Sequence, residues 1–220
     1  MSIWLKRNLI WTEGKWIAIG MILVAIIGWW LWQPITYAAT VFLLFSVYFF
    51  RNPERVCPAA HGDQDMIVAP ADGRVIAIEH DVHNGFDGYL CRVSIFLSIF
   101  DVHVNRIPMS GKITRIAYRK GSFKPAFMSK SSHANERNNI TINADERTLE
   151  VRQIAGIIAR RICCWVQEGG HVERGQRYGM IRFGSRVDLL LPANVALYIT
   201  KGQRVYGGAT ILGRWLCNQP

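Results

Sequence analysis

The sequence predicts a mainly β domain, a sandwich or barrel-sandwich hybrid with few short helices, behind an N-terminal membrane helical hairpin. Three observations predict this. No charged residue occurs between Trp16 and Phe50. Beyond Arg51, short β-rich runs alternate with Gly, Pro, Asn and Asp at regular spacing. Two turn patterns also occur twice. A chain of 220 residues suits one domain with a core plus a small appendage. The expected division is 1–50 for the hairpin and 51–220 for the β-rich domain.

The hairpin rests on WIAIGMILVAIIGWWLW (16–32) and ITYAATVFLLFSVYFF (35–50), joined by Gln33-Pro34, where proline is a natural helix break. Each run is near the lower limit of the roughly 17–25 residues needed to cross a bilayer core. Lys6, Arg7 and Lys15 precede the first run, and Arg51 and Arg55 follow the second. Positive charge at both outer ends places them, and the domain that follows, on the cytoplasmic side of the cell (inner) membrane. Trp29, Trp30 and Trp32 would then lie at the far interface. A cleaved signal peptide is not expected, because the second apolar run follows at once without a small-residue cleavage site. Whether the hairpin spans the bilayer or only re-enters it is left open by its length.

A formal net charge of +10 favours an anionic partner, and the apolar segment selects membrane lipid over nucleic acid. The five cysteines (57, 91, 163, 164, 217) form no C-x-x-C pair and no zinc spacing. That pattern predicts reduced thiols and no metal.

In the β-rich part the expected strands are MIVAP, GRVIAI, LCRVSIFLS, GKITRIAY, NNITINA, TLEVRQIAG, RICCWV, YGMIRFGSRVDLLLP, VALYITKG and ATILGRW. ARRICCWV is too short for periodicity to separate strand from helix. PADGRVIAI (70–78) echoes PMSGKITRI (108–116), and EGGHVERGQRYG echoes TKGQRVYGGATILG. Paired turns of this kind are similar to those of lipoyl-type barrel-sandwich hybrids.

Five segments carry chemistry-bearing residues. In VAPADGRV, Asp72 precedes Gly73, and a turn accounts for the pair as readily as a function. FLSIFDVHVNRIP (96–108) places Asp101, His103, Asn105 and Arg106 within six positions at a strand end. Alternation puts the first three on one face, with His103 an acid/base candidate. SHANERNNITI (132–142) holds Glu136 and Arg137 among three asparagines and reads as a solvated loop. QIAGIIARRI (153–162) ends in Arg160-Arg161, either an exposed basic turn or a phosphate grip. Finally, GMIRFGSRVDLLLP (179–192) reads as one strand with Gly184-Ser185 in its middle. Glycine there weakens a strand and marks a bulge or a close approach to the main chain. A G-x-S-x-G nucleophile elbow is absent, which argues against a serine hydrolase.

In order, FFRNPERVCP, APADGRV, FLSIFDVHVNRIPMSG, NERN, QIAGIIARRI, RFGSRVDLLLP and GGATILG resemble the phosphatidylserine decarboxylase family over nearly the whole β-rich part. The short length and hairpin are similar to its compact bacterial and archaeal branch. The resemblance implies a proenzyme that cuts itself at Gly184-Ser185 into a β chain, 1–184, and an α chain, 185–220, which stay together as a heterodimer. A higher oligomer is left open. Ser185 would attack the Gly184 carbonyl, and β-elimination of the ester would leave a pyruvoyl group with release of ammonia. That group, the only cofactor implied (no pyridoxal phosphate, no metal), would form a Schiff base with phosphatidylserine and release carbon dioxide, leaving phosphatidylethanolamine. Asp72 and His103 are implied to assist Ser185 in a triad-like arrangement, with His103 also the proton donor. Longer bacterial members carry a second histidine where this chain has Arg106. Either one group covers both proton transfers or Arg106 binds phosphate. Arg106, Arg137, Arg160 and Arg161 are the candidate substrate-binding cations. The competing reading is a membrane-anchored, lipoyl-like binding or adaptor module without catalysis. It lacks a convincing lysine at a hairpin tip.

Overall fold

In the computed structural model the described residues are 11–57, 62–80, 89–121, 135–156, 162–182 and 185–216. The chain divides into two compact units, Met1–Glu54 and Arg55–Pro220.

The first unit is a pair of helices, α1 (Trp11–Leu31) and α2 (Gln33–Phe49). They are separated by Trp32 alone, whose backbone is extended with φ −166°. The break therefore lies earlier than the Gln33-Pro34 pattern placed it. Pro34 sits in the first turn of α2, where its missing N–H costs nothing because those N–H groups have no intrahelical acceptor. Close approach needs glycine at two positions. A Cβ on Gly28 would lie 2.9 Å from Ile35 Cγ2, and one on Gly14 would lie 2.8 Å from Phe50 Cδ2. Thr36 Oγ1 also donates across the pair to the Ala25 carbonyl at 3.1 Å. Trp16, Leu23, Ile26, Ile27 and Trp30 are exposed. By length and composition Glu13–Leu31, with mean hydropathy 1.8, is long enough to cross a membrane, whereas α2 is shorter at 17 residues.

The second unit is antiparallel β throughout its described residues. Its strands are β1 (Met66–Val68), β2 (Gly73–His80), β3 (Cys91–Leu97), β4 (Val104–Arg106), β5 (Gly111–Arg119), β6 (Arg137–Ala144), β7 (Arg147–Ala155), β8 (Ile162–Cys164), β9 (His171–Val172), β10 (Arg177–Ile181), β11 (Ser185–Leu191), β12 (Val195–Leu197), β13 (Arg204–Val205) and β14 (Ile211–Trp215). They form a large sheet in the order β13-β2-β3-β11-β7-β6-β5-β9 and two small ones, β1-β14-β12 and β4-β10-β8. Val75, Val93, Ile95, Leu97, Val151, Val187, Leu189 and Leu191 build the core, as their alternate positions on paired strands require. Within the described part of ARRICCWV, Ile162–Cys164 is strand β8 and Trp165 and Val166 lie beyond it.

Two expectations are corrected. The run 179–192 is not one strand. It is β10, ending at Ile181, and then β11, beginning at Ser185, which belong to different sheets. Nor do Asp101, His103 and Asn105 alternate along one strand. β3 stops at Leu97, a turn closed by Asp101 follows, and β4 begins at Val104. A side-chain cap overrides the period here. Asp101 Oδ2 accepts both the N–H and the hydroxyl of Ser98, each at 2.8 Å, and ends the strand.

The sequence echoes are a structural repeat. Val75 N–H bonds Gln203 O and Gly202 N–H bonds Val75 O; likewise Ile113 N–H bonds Gly170 O and Gly169 N–H bonds Ile113 O. Gly208 N–H to Ala69 O matches Gly175 N–H to Ile107 O. β2 and β5 both carry a register shift, after Val75 and after Ile113. Gly73 and Gly111 begin the two strands against a neighbouring carbonyl: a Cβ would come within 2.1 Å of Phe96 O and 2.5 Å of Asn143 O. The two halves also exchange bonds, Val68 N–H to Pro108 O and Arg106 N–H to Pro70 O.

Candidate functional site

Antiparallel order gathers the motifs at one end of the large sheet. Gly73 starts β2, Leu97 ends β3, Ser185 starts β11, Ala155 ends β7 and Arg137 starts β6, with Arg119 ending β5. Ser185 pairs with Leu97 on one side and Ala155 on the other. Asp72, the turn bearing Asp101 and His103, and Asn135–Arg137 are joined directly to this end. Gly184, Arg160 and Arg161 lie outside the described residues.

Ser185 is fully buried, and its Oγ has no hydrogen-bond partner among the described residues. Buried hydroxyls are ordinarily satisfied, so an orphan calls for a functional reason. A second orphan is the Asn105 amide Nδ2, also fully buried. Its oxygen accepts Gln153 Nε2 at 2.8 Å, and Gln153 in turn accepts Asn138 Nδ2 at 3.0 Å. Gln153 stands opposite Val187, on the same inward face as Ser185. A buried amide chain that ends in an open donor suits a site completed by something beyond the fold.

His103 is fully buried on the strand-linking turn. Its Nδ1 lies 2.9 Å from the Asp101 carbonyl, which can only accept, so Nδ1 carries the hydrogen and Nε2 is the basic nitrogen of the neutral ring. Asp101 is itself held by Ser98 and by the Arg204 guanidinium. The His103 carbonyl accepts Ile181 N–H at 3.4 Å, which ties this turn to the chain entering 182–184.

Asp72 is buried and triply bound. Arg55 donates from both terminal nitrogens, at 2.6 and 2.7 Å, and Gly207 N–H donates at 2.9 Å. Arg55 and Arg204 both lie over the Tyr206 ring, at 5.3 and 5.8 Å. Sequence reasoning took Arg55 only as a positive flank of the hairpin and missed Arg204 and Tyr206 altogether. Their partners are remote in the chain, and no spacing signals them.

The arginines differ in setting. Arg106 is buried, donates to the Gly175 carbonyl at 3.0 Å and packs its Cδ toward Gly208. Arg137 stands directly opposite Arg119 and lines a groove of about 620 Å³ with Arg115, Arg152, Tyr89 and Tyr118. Like charges directly opposite on a ladder are disfavoured unless other groups compensate them. Glu150, the one carboxylate in the lining, binds Arg152 and Asn139. The solvated-loop reading of SHANERNNITI fails in its described part. Asn135, Glu136 and Asn138 are buried, Asn135 Nδ2 bonding the Ala155 carbonyl at 2.8 Å beside Ser185.

Burial raises the Tyr178 hydroxyl well above its usual range and the Cys91 thiol to about 11. Cys57, Cys91, Cys163 and Cys164 are free thiols. Among the described residues no cluster of His, Cys, Asp and Glu could hold a metal ion.

The family model for phosphatidylserine decarboxylase matches residues 42–213. The chain belongs to the phosphatidylserine decarboxylase family. A family member from Syntrophus aciditrophicus (strain SB), a phosphatidylserine decarboxylase proenzyme, is 48% identical over 172 residues, covering 77% of this chain and 79% of the relative. A second phosphatidylserine decarboxylase proenzyme, from Pelodictyon phaeoclathratiforme (strain DSM 5477 / BU-1), is 44% identical over 186 residues, covering 84% and 86%. The matched residues cover the whole large sheet, the small sheet β4-β10-β8, and all of β1-β14-β12 except the last two residues of β14, and family membership does not favour the non-catalytic module.

Proposed function

We propose that this chain is a phosphatidylserine decarboxylase proenzyme that cuts itself at Gly184-Ser185 and then removes carbon dioxide from phosphatidylserine in the membrane. The observation that carries the reading is the buried, orphaned Ser185 hydroxyl where the chain passes from one sheet to another. In the first step the Ser185 Oγ–C bond to Gly184 forms and the Gly184–Ser185 C–N bond breaks, giving an ester and a free amine. In the second, Ser185 loses its Cα proton and its Cβ–O bond, and the Gly184 carboxylate leaves. The dehydroalanine left at 185 tautomerises and takes up water, releasing ammonia. Threonine or cysteine could perform the first step, but serine is the residue whose elimination yields a pyruvoyl group simply.

The donor set fits such a group made in place. It would be held by its own covalent bond to β11, between Leu97 of β3 and Ala155 of β7. When present it supplies an electrophilic ketone and an electron sink for loss of carbon dioxide. Around it, His103 moves the proton, its Nδ1–H locked on Asp101 and its Nε2 the working nitrogen. Asp72, held by Arg55 and Gly207, is assigned to charge the site through space, since the ring is oriented instead by the Asp101 carbonyl on Nδ1. The β2–β3–β11 core excludes water.

Arg137, with Arg119, is assigned to the lipid phosphate. Both share the sheet face of Ile154 and Arg186, opposite that of Ser185, so the headgroup must reach the reacting group around the end of the sheet. Arg106 is assigned to bracing of the 175 and 208 turns or to phosphate. Replacing Arg119 and Arg137 together by Ala is expected to raise KM for lipid about 10²-fold or more with kcat little changed, since charge-assisted phosphate contacts are each worth roughly 1.5–3 kcal/mol. Steady-state assays on mixed micelles check this split; an unchanged KM removes these arginines from the headgroup site.

After cleavage the two pieces are expected to remain one particle. β11 is bonded on both sides by strands of 1–184, and β13 and β14 pair with β2 and β1. The cleaved protein should co-elute as one species in detergent and separate only in denaturant; dissociation on simple dilution contradicts the proposal.

The hairpin is assigned to anchoring, with the second unit on the cytoplasmic side. A two-chain lipid does not readily leave the bilayer, so tethering raises its effective concentration, and the positive charge suits an anionic leaflet. Release of carbon dioxide from vesicles of ester-linked and ether-linked serine lipids is the deciding assay. Turnover of neither lipid by the cleaved protein overturns the reading.

A further inference from the structure

We infer that Arg55 is a positioning residue for self-cleavage, holding the Asp72 carboxylate, and that their ion pair serves the reaction rather than the fold. The inference rests on the role proposed above for Asp72 in self-cleavage.

The internal repeat supplies the argument. Its matched bonds place Ala69 with Ile107 and Gly208 with Gly175, which makes Ser110 the counterpart of Asp72 and Arg174 the counterpart of Gly207. The corresponding hydrogen bond exists in both halves. Gly207 N–H donates to Asp72 Oδ1 at 2.9 Å, and Arg174 N–H donates to Ser110 Oγ at 3.0 Å. The turn that precedes β2 and β5 thus needs one acceptor oxygen for one backbone N–H, and a neutral hydroxyl provides it. The charge at position 72 is surplus to the fold. So is the guanidinium that meets it, because Arg55 binds Asp72 through both terminal nitrogens.

Taking a carboxylate out of water is costly unless it is paired. Asp72 is only 5% exposed, so a charged residue is kept where the fold does not need one, and a dedicated partner is kept with it. Bidentate geometry fixes the plane of the carboxylate as well as its charge. The clasp joins three stretches of chain. Arg55 is the first residue of the second unit, Asp72 precedes β2, and Gly207 follows β13. Tyr206 backs the Arg55 guanidinium and also meets Arg204, the partner of Asp101, whose carbonyl orients His103. Arg55 therefore holds the acid at one end of a polar chain that reaches the imidazole at the other.

The test follows self-cleavage of the full chain over time, after cell-free synthesis into lipid nanodiscs, by intact mass, with thermal unfolding measured on the same samples. Arg55→Gln is expected to melt near the wild type and to cleave about 10²-fold more slowly, the scale of loss for a misplaced reacting group. Arg55→Lys should recover part of the rate, and added guanidinium ion should accelerate Arg55→Gln but not Asp72→Ser. Asp72→Ser, which copies the Ser110 half, should fold and be blocked, and Arg55→Gln/Asp72→Ser should be no slower than Asp72→Ser alone. If Asp72→Ser cleaves normally, the role proposed for Asp72 is wrong. If Asp72→Ser is blocked while Arg55→Gln cleaves like wild type, Asp72 keeps its role and the Arg55 inference falls. Loss of folding in both Arg55→Gln and Arg55→Lys overturns it too.

Discussion

Ser185→Ala is expected to yield a single chain of 220 residues that releases no carbon dioxide from any serine lipid. The wild type should yield two masses that divide after Gly184, the smaller being the 36 residues 185–220 with a blocked N-terminus. The substitution is well suited to separate chemistry from folding. The hydroxyl is buried without a partner among the described residues, so Ala removes an unsatisfied polar atom and leaves the β11 ladder to Leu97 and Ala155 intact. Melting should therefore stay at or above that of the wild type, while activity vanishes for want of an electrophile. Ser185→Cys sharpens the test. A thiol can still attack Gly184, so hydroxylamine should cut that variant at 184–185 without conferring decarboxylation. An uncut wild-type chain with full turnover would falsify the scheme.

His103→Asn is expected to lower both self-cleavage and turnover, by about 10²–10⁴-fold, the usual contribution of a positioned acid or base. Asparagine can keep a donor toward the Asp101 carbonyl, so the turn after β3 should hold its shape, and the basic nitrogen is what is lost. Imidazole in the buffer should restore part of the lost rate in His103→Gly. Turnover of His103→Asn within a few-fold of wild type, measured on whatever fraction has matured, excludes the histidine as the essential proton carrier. A uniform loss of stability instead, with cleavage normal in the folded fraction, gives it a packing role.

The strands and the helix pair were legible in the sequence because each is a local property, whereas the bond proposed to react was singled out by the ordered motifs that carry the family resemblance. Alternation in VDLLLP and NNITINA reports which side of a strand is apolar, and the absence of charge from Trp16 to Phe50 reports an apolar helix pair. The repeat was legible as well, in the spacing of Pro, Gly and a basic residue. The one-strand reading of 179–192 failed because β10 and β11 are both apolar and continuous in sequence, and periodicity has no way to say that consecutive residues join different sheets. Asn135 and Asn138 were misjudged for a related reason. An asparagine-rich segment is ordinarily solvated, and only the Ala155 carbonyl and Gln153, distant in the chain, make burial affordable here.

By itself the sequence determined the membrane-suited helices and the β character of the rest, since both follow from residue type and short-range order, while its ordered motifs carried the resemblance that nominates Ser185 as the reacting residue. Tertiary structure alone decided that Arg55 meets Asp72, that Arg204 and Tyr206 brace the histidine turn, and that Arg119 faces Arg137. Those contacts join positions brought together by antiparallel pairing and by the internal repeat. Their energies come from charge and geometry across space, for which composition and periodicity carry no record.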